Sequence, residues 1–408
     1  MTVCDPPTLL DCEDVAWFRD QPEAARGAAA ALGRRIGLGE QRTAQLVLAV
    51  AEMAGNLTKH AVDGSLLLRV LRNQTLAGVE VIAVDGGPGM ADVPAALRDG
   101  MSTAGTLGIG LGAVQRLADS HAIHSQRGLG TVQLARFWPH PVPPSVSGEA
   151  AVSGVTRPIG GEQVCGDAWA ARSDTGEITP APVDESSTRQ RGTGAGTHDW
   201  SALTATQPSR RATGTPSPLD AGRRRPRPVG RSMPVHGAVP GPGSGLMVMS
   251  CDGLGHGPMA AAAAQAAVKA FRTGTARTPE HAMDQVHRAL RGTRGAAVAI
   301  ARLEADGRVL FCGVGNITAA LVTTTTRTGL LSHPGIAGHQ MHQLRTYEHR
   351  LPAGGVLVMH SDGLSERWNF SDLASLLHHP PALIATGLLR LAGTRRDDAS
   401  AVIAKAAR

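Results

Sequence analysis

Acidic residues at the ends of apolar stretches are the first candidates for chemistry in this chain. "GEQVCGDAWA" offers Asp167, "SCDGLGHG" offers Asp252 with the carbonyl of Gly253, "VMHSDGLSE" offers Asp362, and "RRDDASAVI" offers Asp397 and Asp398. Carboxylates joined by a bare backbone carbonyl are the donor set that a hard divalent cation selects. No Cys or His stands at metal-ligand spacing, so a site built here would hold its ion through oxygen alone. Asp-Gly is also a common turn dipeptide, and in "EADGR" the pair Asp306-Gly307 reads only as a hairpin. The other acids differ because they recur in a set order beside apolar strands. His256, in the same Gly-rich turn as Asp252, reads as a loop histidine before it reads as an acid.

A second group lies nearer the N-terminus. In "LVLAVAEMAGNLTKHA" the helical angles put Leu46, Val50, Ala54, Leu57 and Ala61 on one face and Glu52, Asn56, Lys59 and His60 on the opposite one. Asn is a poor helix former, so Asn56 in mid-helix calls for a reason. Glu52 and Asn56, four residues apart, can present a carboxylate and an amide oxygen to one small volume, as a Mg²⁺–phosphate site with an adjacent general base requires. Downstream, "GVEVIAVDGGPGM" ends a strand at Asp85, which can accept a hydrogen bond from an exocyclic amine, with Gly87 and Gly89 leaving room for a flat base. "GTLGIGLGAV" then brings Gly105, Gly108, Gly110 and Gly112 into a helix N-terminus, where backbone N–H groups favour phosphate.

These residues need two α/β modules to position them. Before Pro139, two helices (about 20–35 and 43–62), strands "SLLLRVLRN" and "GVEVIAVDG", helix "GAVQRLADS" and strands "HAIHSQ" and "TVQLARF" predict a two-layer α/β sandwich. A Pro-rich linker at 139–150 follows. Residues 151–408 form the second module, again α/β with more sheet, interrupted by an insertion at 171–245. Gly, Pro, Ser, Thr and Arg dominate that segment, and it is expected to be disordered because it cannot bury enough apolar surface to offset the entropy of ordering. It holds ten Arg against six Asp and Glu, so it carries most of the net charge of +6. With aromatics at only 3%, direct nucleic-acid binding by a folded domain is not expected. Five scattered Cys, no apolar span and no secretory leader predict a soluble cytoplasmic protein without a disulfide framework.

The ordered set Glu52, Asn56, Asp85, Gly87, Gly89, Gly108, Gly110 and Gly112, closing on "GLGTVQL", resembles the GHKL ATPases, and within them the small bacterial anti-sigma and switch-protein serine kinases. The resemblance spans about residues 14–137. It implies ATP with Mg²⁺ as cofactor, Glu52 as catalytic base or water-orienting acid, Asn56 as the Mg²⁺ ligand, Asp85 as the adenine reader and the later glycines over the phosphates. The acid set after residue 154, with "GVGN" at Gly313–Asn316, resembles the SpoIIE-like branch of type 2C protein phosphatases. That likeness implies a four-layer αββα sandwich. In it Asp167, Asp252, Gly253, Asp362 and Asp397 hold two Mn²⁺ or Mg²⁺ ions, and a bridging water is the nucleophile. Together the two imply a regulatory serine/threonine phosphatase acting on a STAS-like anti-sigma antagonist or switch scaffold, in a pathway that can end at a sigma factor. The alternative is an ATP-dependent serine kinase whose phosphatase-like module is only a scaffold.

Overall fold

A computed structural model of the chain describes residues 8–98, 110–160, 162–173, 234–235, 245–341 and 343–405. The first module runs β1 (Asp11–Phe18), α1 (Ala25–Arg35), α2 (Glu40–His60), β2 (Ser65–Arg72), β3 (Ala77–Val84), α3 (Val93–Ala96), α4 (Gly110–Leu117), β4 (Ser120–Gln126) and β5 (Gly130–Phe137). Its sheet has the order β1-β2-β3-β5-β4, antiparallel throughout. Leu46, Val50, Met53, Ala54 and Leu57 turn the apolar stripe of α2 onto one face of that sheet, and α1 and α4 complete the layer. β1 is absent from the sequence-based expectation. The run "DCEDVAWF" alternates poorly, and a bulge between Asp14 and Ala16 resets its register against β2.

The linker contains α5 (Pro144–Ser147) and is packed down, with Val146 and Ala150 buried against Leu10, Leu71 and Trp138. Beyond it come β6 (Val152–Arg157), β7 (Asp167–Ser173), β8 (Pro234–Val235), β9 (Leu246–Gly253), α6 (Pro258–Thr273), α7 (Pro279–Ala289), β10 (Ala296–Leu303) and β11 (Arg308–Val314). The chain then forms β12 (Thr318–Val322), β13 (Arg327–Leu330), β14 (Ser332–His333), β15 (Thr346–Arg350), β16 (Val356–His360), α8 (Phe370–Leu373), α9 (Pro381–Ala392) and β17 (Ala399–Lys405). Two sheets result, one ordered β7-β9-β10-β11-β15-β8 with β14 beside β11, the other β13-β12-β16-β17-β6. Their inner faces share a core that includes Trp169, Val248, Phe311, Leu357 and Val402. α6 and α7 cover the outside of the first sheet, and α8 and α9 cover the outside of the second. This is the four-layer αββα arrangement expected.

The insertion begins later than its composition implied. β7 continues through Ala171, Arg172 and Ser173 in register with Val248, Met247 and Leu246 of β9. Arg172 belongs to this strand because its guanidinium lies 5.2 Å over the Phe271 ring and donates to the Ala276 carbonyl. Pro234 and Val235 pair with Tyr347 and Thr346 of β15, and Gly245 is buried at the other end of the segment. The remainder of the expected insertion, 174–233 and 236–244, lies outside the described residues.

The two modules are joined through one helix. Ten of the twelve residues of α9 are buried. A helix apolar all round needs a partner on every side, and α9 has two sheets. Ala401 and Ile403 meet it from β17, while Leu67, Ile82, Val84, Val132 and Leu134 meet the same core from the second face of the N-terminal sheet. Polar contacts close the margin where β1 approaches β6. Trp17 Nε1 donates to the Thr156 carbonyl (2.8 Å), the Thr156 N–H donates to Asp14 (2.6 Å), and Arg69 Nη2 donates to the Gly154 carbonyl (2.6 Å). Arg69 is also ion-paired to Asp14 and Glu80 at 2.6 and 2.9 Å, and Glu80 to Arg136 at 2.7 Å, so these buried charges are all compensated. Among the described residues no helix is long and apolar enough to cross a membrane.

Candidate active sites

Four of the candidate acids come together at one end of the two facing sheets. Asp167 opens β7 and stands in register opposite Asp252, which precedes the last residue of β9. Asp362 follows β16, and Asp397 lies just before β17, the strand that pairs with β16. Asp167 is 4% exposed, and both of its carboxylate oxygens are buried without a hydrogen-bond partner. Such a group is costly unless something supplies positive charge. Burial drives the Asp167 carboxyl up to about 7, with Ser361 and Ser400 opposing. Burial and the charges of Asp167, Asp362 and Asp397 push Asp252 up to about 9. Burial and Asp397 raise Asp362, against an Asn316 Nδ2 hydrogen bond of 2.7 Å.

Asp398, offered beside Asp397 by the sequence, is otherwise employed. Its two oxygens accept the backbone N–H groups of Ile159 and Gly166, each at 2.7 Å. That clamp fixes the approach to Asp167, where Asp398 also adds its charge, while Asp397 adds its own to Asp252 and Asp362. Gly253 donates its N–H to the Gly166 carbonyl at 3.0 Å, and a Cβ on it would come within 2.4 Å of the Ala260 carbonyl, so α6 packs directly on this backbone. His256 is exposed at the rim with Nδ1 3.4 Å from Glu162. Asp306 sits in its hairpin with its carboxylate turned to the Arg308 N–H, far from this cluster in the fold. Asn316 is the partner that acid counting alone does not reveal; its signal was the "GVGN" turn.

Among the described residues no three His, Cys, Asp or Glu side chains are already closed around one point. The donor set fits divalent cations nonetheless: it is all oxygen, it contains a buried carboxylate with both oxygens unpartnered, and its members raise one another's proton affinity. A pH dependence follows. Below the usual carboxylate range, about pH 4, folded and unfolded chains are both protonated. Above it the unfolded chain loses protons that folded Asp167 and Asp252 retain, so stability declines with rising pH and this contribution is gone once pH passes about 7 and about 9. In chelator, the melting temperature should fall between mildly acidic and alkaline buffer, and Mn²⁺ should flatten the fall. A metal-free melting temperature that stays level or rises over that interval would remove carboxylate crowding as the cause.

In the first module, Glu52 and Asn56 lie on the half-exposed side of α2, one turn apart, and neither makes a side-chain hydrogen bond among the described residues. Asp85 follows β3, with its Oδ1 accepting the Gly87 N–H at 2.7 Å and its carboxyl raised chiefly by burial. The glycines after it serve the protein's own packing. Gly89 has φ +65°, and a Cβ there would fall 2.1 Å from the Gln126 carbonyl, so the end of β4 packs directly on this backbone. Gly87 is similarly crowded, by Asp85 Oδ1 and the His60 carbonyl at 2.9 Å. Gly110 and Gly112 form the start of α4, whereas Gly105 and Gly108 lie outside the described residues. Gly130, not singled out from the sequence, passes directly beneath the Asp85 carbonyl.

A two-layer α/β sandwich thus shares a helix with an αββα sandwich that gathers acids at its edge. Residues 19–136 match the histidine kinase-like ATPase domain family, and residues 242–407 match the stage II sporulation protein E (SpoIIE) family. Over 115 residues the chain is 34% identical to the serine/threonine-protein kinase RsbT of Bacillus subtilis, covering 28% of this chain and 86% of RsbT. The chain therefore belongs to the RsbT-like family through its N-terminal module and carries a SpoIIE phosphatase domain after it. Among solved structures, the PP2C phosphatase domain with a regulatory fragment of SpoIIE from Bacillus subtilis is 12% identical, with 95% of each chain covered and a TM-score of 0.39. RsbX in complex with magnesium is 15% identical, covering 62% of this chain and 92% of that one, with a TM-score of 0.39.

Proposed function

We propose that the chain removes phosphate from phosphoserine or phosphothreonine on a partner-switching protein, a STAS-like anti-sigma antagonist or switch scaffold, while its N-terminal module binds ATP with Mg²⁺. The observation that carries this reading is the buried, unpartnered carboxylate of Asp167 in register with Asp252, with Asp362 and Asp397 raising the charge density beside it. Asp167, Asp252, the Gly253 carbonyl, Asp362 and Asp397 would hold two Mn²⁺ or Mg²⁺ ions. Bound there, the ions supply a water acidic enough to be a nucleophile at neutral pH and a clamp for phosphoryl oxygens. The chain's own residues do the positioning. Asn316 orients Asp362 through its amide, and Asp398 ties the backbone before Asp167 in place by accepting the N–H groups of Ile159 and Gly166.

In the ATP-binding module Asp85 would read the adenine amine, Asn56 would hold Mg²⁺, and Glu52 would act as base or orient the attacking group. Gly108, Gly110 and Gly112 would lie over the phosphates. A second reading has a specific observation behind it: Glu52 and Asn56 stand one turn apart on the half-exposed side of α2 with no side-chain hydrogen bond among the described residues, as a phosphotransfer site would need. In that case the module is a serine kinase, like the relative RsbT, and the phosphatase module is a scaffold. A cytoplasmic setting suits either activity. Phosphate release from a phosphoserine STAS-type protein should appear with Mn²⁺ and vanish with chelator. Activity that persists in chelator would exclude the two-metal reading, and its absence with phosphorylation of the same partner by ATP would favour the kinase.

A further inference from the structure

A cavity of about 270 Å³ opens where the two modules meet, and its charge is unusual. Arg19 just after β1, Arg157 at the end of β6, Arg390 on α9 and Arg395 beyond it all line it, against only two acids, Asp63 and Asp85. Those acids each have a cation assigned. Arg395 Nη2 lies 3.5 Å from Asp63 Oδ1, and Arg390 and Asp85 attract each other. Among the described residues neither Arg19 nor Arg157 has a carboxylate of the cavity wall paired to it, and the only carboxylate Arg19 feels from outside the wall is its chain neighbour Asp20. Arg19 Nη2 has a neutral acceptor, the Pro158 carbonyl at 2.9 Å, whereas Arg157 Nη2 is buried and has no hydrogen-bond partner. The Nε of Arg390 is buried and unpartnered as well.

Two arginines that repel each other in a half-buried space are destabilising unless an anion joins them, because guanidinium cannot shed its proton to escape. The C-terminal end of α9 favours a cation nearby, yet it offers Arg157 no acceptor. Trp17 supplies an apolar wall, and the volume exceeds that of a single ion. We infer that this cavity binds a phosphate-type dianion, bridged by Arg157 and Arg19, the two positive charges by which the wall exceeds its acids, with a forked donor set suited to phosphoryl oxygens. The dianion is either free inorganic phosphate or the phosphoryl group of a larger molecule. It lies apart from the acid cluster of the second module and borders the candidate nucleotide site through Asp85, and it touches both modules, since Asp85-Gly86 and Gly393–Arg395 form parts of its wall. Nothing in it depends on either module being catalytic.

The test is calorimetry on the full chain in chelator, so that the acid cluster holds no metal, with inorganic phosphate and O-phosphoserine as probes and chloride as the ionic-strength control. Saturable binding of phosphate, weakened about tenfold or more (about 1.4 kcal/mol) in Arg157→Gln and in Arg19→Gln, is the expected result. Equal or tighter binding of phosphate than of O-phosphoserine identifies the free ion, and the reverse identifies a phosphoryl group on a larger molecule. Melting in phosphate-free buffer separates a ligand role from a structural one. If Arg157 awaits an anion, Arg157→Gln melts no lower than the parent and loses the phosphate-induced rise. No phosphate binding, binding that both variants retain, or a lower melting temperature of Arg157→Gln without phosphate would each overturn the assignment.

Discussion

Replacing Asp252 by Ala should abolish phosphate release from a phosphoserine protein, lowering turnover by several orders of magnitude while leaving the fold intact. Asp252 is the most strongly perturbed acid of the cluster because it feels three other carboxylates as well as burial. Its loss removes the charge that would hold ions against Asp167, and with them both the activated water and the clamp on phosphoryl oxygens. The stability change should run the other way in chelator, since one crowded carboxylate fewer relieves repulsion. Asp306→Ala, in the β10–β11 hairpin, is the control and should turn over like the parent. An Asp252→Ala protein with parental activity would end the two-metal mechanism.

The second large effect belongs to the N-terminal module. Glu52→Ala should keep nucleotide affinity and lose ATP turnover or phosphotransfer by about 10²–10⁴-fold, the range for a positioned general base. Asp85→Asn should do the opposite in kind. It exchanges an acceptor for a group that can donate, and nucleotide binding should weaken by about tenfold or more. Binding of a fluorescent ATP analogue and single-turnover phosphate release, measured on the same preparations, separate the two. Full phosphotransfer by Glu52→Ala would require another base.

Much of this was legible in the amino-acid order because local patterns and site chemistry coincide. α2 showed its apolar and polar faces, β3 ran visibly into Asp85, and the acids Asp167, Asp252, Asp362 and Asp397 each sat beside an apolar strand. What could not be read has physical causes. β1 hides because Asp11, Glu13 and Asp14 interrupt its alternation, and its acids find partners, Arg69 among them, only in the folded chain. Arg172 looked like part of a polar run, since nothing local shows that Phe271 will receive it. Choosing between Asp397 and Asp398 needs the two backbone N–H groups that Asp398 accepts, one of them 232 residues away. That Gly87 and Gly89 are also packed against the backbone carbonyls of His60 and Gln126 depends on contacts distant in sequence. The four arginines of the cavity are scattered from Arg19 to Arg395, so no window of sequence contains them.

Because α9 fills the space between both sheets, the boundary at residues 139–150 is not a place where the chain can be divided into working halves. A fragment ending there would expose Leu67, Ile82, Val84, Val132 and Leu134 as a bare apolar face, and a fragment starting there would leave α9 wet along the same side. Deletion experiments that assign one activity to each half would therefore measure aggregation before they measured function. The same helix also sets what outside proteins can reach: the second face of the N-terminal sheet is taken in cis, so a protein that engages this module must do so from its helical side or from a sheet edge. Genetically, lesions in residues 381–392 should behave as double mutants, because a single stretch of twelve residues is core to both modules at once.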